Sequence, residues 1–185
     1  MNNRPDIELV ISLRNGDISA GGVLYERYKR HIYYFVAGML QDDQGAQDVV
    51  QQTFVAMIEK IGMLNKDIMF RQWLFTIARN ESLMILRHRK LIPMEGLEAA
   101  ENIFMESETP ERAFAKAETF DMVHKALHRL IPEYREIILL QMNEQLSYDE
   151  IALITNTTVG SVRSKLYKAK IALVTLLSPD IMRED

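Results

Sequence analysis

Residues 146–170 constrain the fold of this chain most strongly, because they predict two short helices joined by a tight turn. Ser147 and Glu150 have the spacing of a capping box, which places a helix start at Ser147. Asn156 tolerates the left-handed backbone that would end this helix, and Thr158 can cap the next one. Together these signals predict a helix-turn-helix.

The second helix of this unit is expected to have an apolar face and a basic face. The apolar positions recur at helical spacing: Val162, Leu166, Ala169 and Leu173. The other face is polar and basic, and carries Ser161, Arg163, Ser164, Lys165, Lys168 and Lys170. Such a face is common on ordinary bundle helices, where it is only solvated. We favour a helix that enters a DNA major groove, because the turn, the small residues at the helix start and the run of cations without an acid occur together.

Composition limits the remaining possibilities. The chain has 185 residues, of which 48% are hydrophobic and 26% are charged, so it can form one domain or two small ones. The absence of cysteine excludes disulfides, zinc fingers and thiol catalysis. The start of the sequence does not resemble a signal peptide, and no apolar run is long enough to cross a membrane. We therefore expect a cytoplasmic protein.

Negative charge is concentrated in the middle of the chain. The formal net charge of −4 divides into +2 for residues 1–94, −5 for residues 95–118 and −1 for residues 119–185. Pro93 and Pro110 bound most of the acidic stretch, which indicates a linker. The expected organisation is a domain over 1–92, an acidic linker over 93–111 and a helix-turn-helix domain over 112–185. Because the net charge is negative, the free protein is expected to bind duplex DNA weakly. The acidic segment is expected to compete with DNA for the basic faces.

Apolar residues recur with a period near 3.6 along most of the chain, which predicts an all-α protein with two small helical domains. Helices are expected near 7–14, 20–40, 44–61, 70–91 and 133–142, besides the helix-turn-helix. Two of them should bury apolar stripes, of which the first contains Leu24, Tyr28, Ile32, Phe35 and Met39 and the second Val50, Phe54, Met57, Ile58 and Ile61. Trp73 is interpreted as a core residue rather than a platform for stacked bases.

Several short motifs occur in a fixed order: LYERY at 24–28, DVVQQTF at 48–54, WLFTIARN at 73–80, RHRK at 87–90, LIP at 130–132, SYDEIA at 147–152 and GSVRSKL at 160–166. Each motif is weak alone. In this order and spacing they resemble the extracytoplasmic-function (ECF) sigma factors of the sigma-70 family, which are small bacterial transcription initiation subunits. The resemblance covers the chain from about Asp6 to Leu177.

The resemblance implies three binding surfaces. One would bind core RNA polymerase through Asp48, Gln51, Gln52 and Phe54. A second would contact the −10 promoter element through Arg79, Asn80, Arg87, His88, Arg89 and Lys90. The helix-turn-helix would read the −35 element through Ser161, Arg163, Ser164, Lys165 and Lys168. Besides polymerase and promoter DNA, the resemblance implies an anti-sigma factor as a partner, and no small-molecule substrate, cofactor or metal.

Two other functions compete with this interpretation. The chain could be a stand-alone helix-turn-helix regulator, with an N-terminal sensor or dimerisation domain, or an all-α adaptor whose basic helix binds protein. A ligand sensor has no reason to carry the DVVQQTF and WLFTIARN helices, which favours the sigma factor. His124 and His128 lie four apart without a third metal ligand, and no nucleophile triad or phosphate-binding loop occurs. The chain is therefore not expected to be an enzyme.

Overall fold

A computed structural model describes residues 4–64, 66, 69–91, 122–143 and 146–181. Every regular element within these ranges is helical, which confirms the all-α class. The helices are α1 (Asp6–Arg14), α2 (Ile18–Leu40), α3 (Asp43–Lys60), α4 (Phe70–Leu91), α5 (122–129), α6 (Pro132–Gln141), α7 (Tyr148–Ile154) and α8 (Val159–Ile181), with a 3-10 turn at Ile61–Met63. The predicted linker, 93–111, lies outside the described residues.

Local signals determine where the first helices begin and end. Gly16 ends the turn after α1 with φ +96°, a conformation that favours glycine. The Asp17 carboxylate then accepts a hydrogen bond from the Ser19 backbone N–H at 3.1 Å and caps α2. Gln41 separates α2 from α3 in the left-handed region, with φ 56°.

The buried face of α2 organises the N-terminal half. α2 packs against α1, α3 and α4, and all of its predicted inward residues are buried. The Tyr28 hydroxyl and the Arg27 guanidinium both donate to the Asp6 carboxylate, which holds the start of α1 against α2. On α3 one inward assignment was wrong, since Ile58 is 49% exposed. Trp73 is half-buried against Phe70 and packs on the core, as interpreted.

Arg135 joins α5 to α6 in the C-terminal half. Its guanidinium donates to three backbone carbonyls, those of Leu127 at 3.0 Å, His128 at 2.6 Å and Leu130 at 3.1 Å. These carbonyls lie at the end of α5, where intrahelical donors run out, and the arginine donates to all three; the Leu127 carbonyl also accepts from the Leu130 N–H at 3.2 Å. Burial lowers the pKa of Arg135, although a guanidinium remains charged at ordinary pH.

The two halves are in contact. α6 packs on α2, and α7 packs on α4. The two halves approach closely at Gly38, where an added Cβ would lie 2.5 Å from Cδ2 of Leu139. Glycine at this position lets the α6 side chain lie directly on the α2 backbone, and the buried core is continuous from one half to the other.

Replacing Arg135 with glutamine should lower the free energy of unfolding by about 2 kcal/mol, because carbonyls at the end of α5 lose a charged donor. Urea unfolding followed by circular dichroism measures this change. Arg129→Gln is the matched control, since Arg129 is exposed on α5 and its loss should change stability by less than about 0.5 kcal/mol. Equal losses in the two variants would contradict the capping role.

Candidate nucleic-acid interface

The helix-turn-helix forms as its local signals predict. Ser147 Oγ accepts from the Glu150 N–H at 3.2 Å, and the Ser147 N–H donates to the Glu150 carboxylate at 2.8 Å, so the capping box is confirmed. Asn156 turns the chain with φ 51°. Thr158 Oγ1 then accepts from the Ser161 N–H at 3.2 Å and caps α8. Three local interactions thus set the two helix ends and the turn.

Buried side chains determine which face of α8 remains outside. The buried residues of the pair are Ile151, Ala152 and Ile154 on α7 and Val162, Leu166 and Ala169 on α8. Leu173, which was also expected to face inward, is half-buried and packs on the same core. Arg163, Ser164 and Lys168 are exposed on the outer face, whereas Ser161 is half-buried at its start.

Two neighbouring side chains contact cations of this face. The guanidinium carbon of Arg163 lies 5.9 Å from the centroid of the Tyr148 ring, a cation–π contact that restricts the arginine. Lys165 Nζ lies 3.0 Å from the carboxylate of Glu133 on α6, so its charge is partly compensated. Sequence reasoning missed Tyr148. Its position as the first residue of α7, beside the start of α8, is the signal that could have identified it.

At the C-terminal end of α4 only some of the predicted basic residues are free. Arg87 and His88 are exposed, and so is Asn80 further up the helix. Arg89 instead donates to the Leu40 carbonyl at 3.0 Å and forms an ion pair with Asp42. It therefore satisfies the end of α2 and the start of α3. The side chain of Lys90 lies outside the described residues.

The Arg79 side chain is largely covered and does not lie exposed on the surface. Its guanidinium forms an ion pair with Glu136 of α6, and its Nη2 lies 3.4 Å from the second carboxylate oxygen. The side chains are only 18% and 12% exposed. In this structure α6 therefore covers the Arg79 guanidinium, and the role of Arg79 at the −10 element stays a prediction.

Of the four residues of α3 that were predicted to bind polymerase, three are exposed and one is buried. Asp48, Gln51 and Gln52 are exposed along one face. Phe54 is 5% exposed and packs edge-on against Tyr25, with ring centroids 4.8 Å apart, so it cannot be part of an exposed surface. Its place in the motif reflects packing, because it fixes α3 on α2.

Both halves match sigma factors. Residues 24–92 match Sigma-70 region 2, and residues 120–173 match Sigma-70, region 4. The RNA polymerase sigma-H factor of Pseudomonas aeruginosa is 32% identical to this chain, over 97% of the chain and 96% of that protein. The chain belongs to the ECF group of the sigma-70 family. This sigma factor directs RNA polymerase to promoters at the initiation of transcription, and the stand-alone regulator is not favoured.

One further relative and two solved structures are also similar to this chain. The ECF RNA polymerase sigma factor SigW of Bacillus subtilis is 27% identical over 87% of this sigma factor and 90% of its own length. Among solved structures, CnrH in complex with the cytosolic domain of CnrY has a TM-score of 0.71 at 23% identity, covering 95% of this chain and 98% of that one. RpoE from Bartonella quintana, in complex with the anti-sigma factor NepR, has a TM-score of 0.66 at 24% identity, with 88% and 97% covered.

Within the described residues of this sigma factor, no three histidines or carboxylates come together as metal ligands. The rings of His124 and His128 are 4.1 Å apart. Burial, and then the neighbouring His124 and Arg135, lower the pKa of His128 to about 4, which keeps this ring neutral near pH 7. No helix in the described part of the chain is both long and apolar enough to span a bilayer.

The contrast between Arg87 and Arg89 can be measured in this sigma factor. Arg89→Gln should lower the free energy of unfolding by roughly 1 to 2 kcal/mol, because the Leu40 carbonyl and the Asp42 carboxylate lose their charged partner. Arg87→Gln, the matched control two residues earlier, should change it by less than about 0.5 kcal/mol. Thermal and urea unfolding test both. If Arg89→Gln leaves stability unchanged, its interactions with α2 and α3 are not structural.

Proposed function

We propose that this sigma factor divides promoter recognition between its two halves. Residues 1–92 bind core RNA polymerase and the −10 element, residues 112–185 bind the −35 element, and the acidic segment 93–111 connects them through the polymerase. The observation that carries the proposal is that each half matches its own sigma-70 region and presents an exposed polar face on a buried, capped framework. The protein acts by binding, with no chemistry of its own.

The polymerase-binding surface is the exposed face of α3 that carries Asp48, Gln51 and Gln52. Residues spaced by three and four lie on one side of a helix, so these three side chains form a continuous patch. Beneath them Val50 and Phe54 are buried against the core. A patch held in this way needs little reordering on binding, which favours affinity.

The duplex-binding surface is the outer face of α8. In helix-turn-helix proteins the N-terminal part of the second helix contacts base edges, and this part carries Ser161, Arg163 and Ser164. Lys165 and Lys168 lie further along and suit phosphates. The ring of Tyr148 limits the positions open to Arg163, so the arginine is partly organised before DNA arrives.

The −10 surface lies on α4, where Asn80, Arg87 and His88 are exposed, with Lys90 beyond them. A cluster of cations at the end of a helix suits the phosphates of a separated strand. Arg89 supports this surface from beneath through Leu40 and Asp42. Arg79 joins the surface only when α6 moves away.

The partners we propose are core RNA polymerase, promoter DNA and an anti-sigma factor, and the place of action is the cytoplasm. The anti-sigma factor is suggested by the relatives CnrH and RpoE, whose solved structures contain the cytosolic domain of CnrY and the anti-sigma factor NepR. A surface that binds polymerase must be covered to keep such a protein inactive, and the exposed faces of α3 and α8 are available for this.

Gln52→Arg should weaken the complex with core RNA polymerase by about tenfold or more, because it places a bulky cation at the centre of the proposed patch. Gln44→Arg, the same change at an exposed position near the start of α3, is the control and should bind normally. Size exclusion and a fluorescence titration measure both complexes. If the wild-type chain forms no complex with core polymerase, this proposal fails, and a free dimer that footprints a palindrome would support the regulator instead.

Arg163→Ala and Lys168→Ala should each weaken promoter-dependent transcription while polymerase binding stays intact. A lost base contact costs about 1–3 kcal/mol, and a lost phosphate contact lowers the salt slope of binding by about one unit. Transcription from fragments selected in vitro with the holoenzyme provides the measurement. Lys125→Ala, which removes an exposed cation from α5, is the control. Full activity of the double variant would remove the DNA-reading role from α8.

A further inference from the structure

Two histidines of α5 form a close pair. His124 and His128 are four positions apart on the helix, so their side chains project from the same face, one turn apart. The ring centroids are separated by 4.1 Å and the ring planes are inclined by 54°. Both side chains are half-buried, so the pair lies near the surface of the C-terminal half. Neither histidine belongs to the surfaces that we propose for polymerase or DNA.

One nitrogen of this pair lacks a protein partner. His128 Nε2 is buried and forms no hydrogen bond within the described part of the chain. Most buried polar side-chain atoms in proteins are paired, because leaving one unpaired forfeits its interactions with water. An imidazole nitrogen without a partner keeps its lone pair or its proton available to a ligand. The pair therefore combines two adjacent rings with one unsatisfied nitrogen.

The charges around the pair act in two directions. Burial, His124 and Arg135 lower the pKa of His128 to about 4, so near pH 7 a metal ion would not have to displace a proton from this ring. The Arg135 guanidinium also repels a metal ion. However, it donates to the carbonyls of Leu127, His128 and Leu130, and these negative oxygens offset part of its charge.

We propose that His124 and His128 form a two-nitrogen site on α5 for a divalent transition-metal ion, with water in the remaining coordination positions. Imidazole suits copper, nickel and zinc, and among these Cu²⁺ generally binds most tightly. Since no third histidine or carboxylate joins the pair within the described residues, the site differs from a closed structural zinc site, and its ion exchanges with solvent. The site goes beyond the proposed function, and its test needs neither polymerase nor DNA.

Titration of the full-length protein with Cu²⁺ at pH 7 tests the site. Calorimetry gives the affinity, and electron paramagnetic resonance counts the nitrogens bound to copper. We expect a copper centre with two imidazole nitrogens in the wild-type protein. His124→Gln and His128→Gln should each weaken this binding by about tenfold or more, because the second of two linked ligands binds at a high effective concentration.

A variant that keeps the number of histidines separates geometry from composition. His124→Gln combined with Arg129→His places the two histidines at adjacent positions, where the side chains of a helix do not face each other. Arg129 is exposed, so the change should not disturb the core. This double variant should bind Cu²⁺ as weakly as His124→Gln alone. Binding at the wild-type affinity would overturn the assignment to the pair.

His88→Gln is the control for binding elsewhere on the protein, because it removes an exposed histidine of α4. It should leave the affinity for Cu²⁺ and the two-nitrogen signal unchanged. If wild type, His124→Gln and His128→Gln all bind Cu²⁺ equally, the protein holds an adventitious ion only, and the inference is overturned. Circular dichroism of each variant verifies that it is folded, and His124→Gln alone suffices if the half-buried His128 does not tolerate the change.

Thermal unfolding with Zn²⁺ provides a second readout, because an ion that joins two positions of a folded helix stabilises the folded state. At a concentration about 100-fold above its Kd, Zn²⁺ should raise the Tm of wild type by about 5 °C. Mg²⁺, which prefers oxygen ligands, should leave the Tm unchanged. His124→Gln should lose the effect of Zn²⁺. No shift in wild type, or an equal shift in His124→Gln, would overturn the inference.

Discussion

The buried face of α2 holds both halves of this protein. Along one side it meets α1, α3 and α4, and near its C-terminal end it meets α6 at Gly38. The same helix therefore supports the face of α3 that we propose to bind polymerase, and it brings α6 over α4. Because apolar burial is the largest favourable contribution to folding, the positions of α3, α4 and α6 depend on this helix.

Three arginines of α4 differ in role although they lie on one helix. Arg87 is exposed, Arg89 stabilises the junction of α2 and α3, and Arg79 pairs with Glu136 of the other half. Charge alone does not separate these roles. The electrostatic contribution of an arginine depends on which carboxylates and carbonyls come within about 3 Å and on how much water remains between them.

The ion pairs between the two halves show that the position of an acidic residue matters more here than the number of acidic residues. The sequence places most negative charge in residues 95–118, and from it we expected competition for the basic faces. Within the described residues, the carboxylates of the C-terminal half that pair with arginines of α4 are Glu136 and Glu150, each part of an ordinary helix. Two acids with little water around them interact with arginine more strongly than a longer solvated run does.

The sequence by itself determined the helices, the capping box, the left-handed turn at Asn156 and the family, because periodicity, caps and motifs are properties of short segments. It was wrong for Ile58, which is 49% exposed, and right that Phe54 belongs to the buried stripe of α3. Only the tertiary structure decided that Arg79 is covered and that Arg71 has a partner. The partners in these ion pairs are 57 and 79 positions apart in sequence, and a local sequence pattern cannot predict which distant residues come into contact.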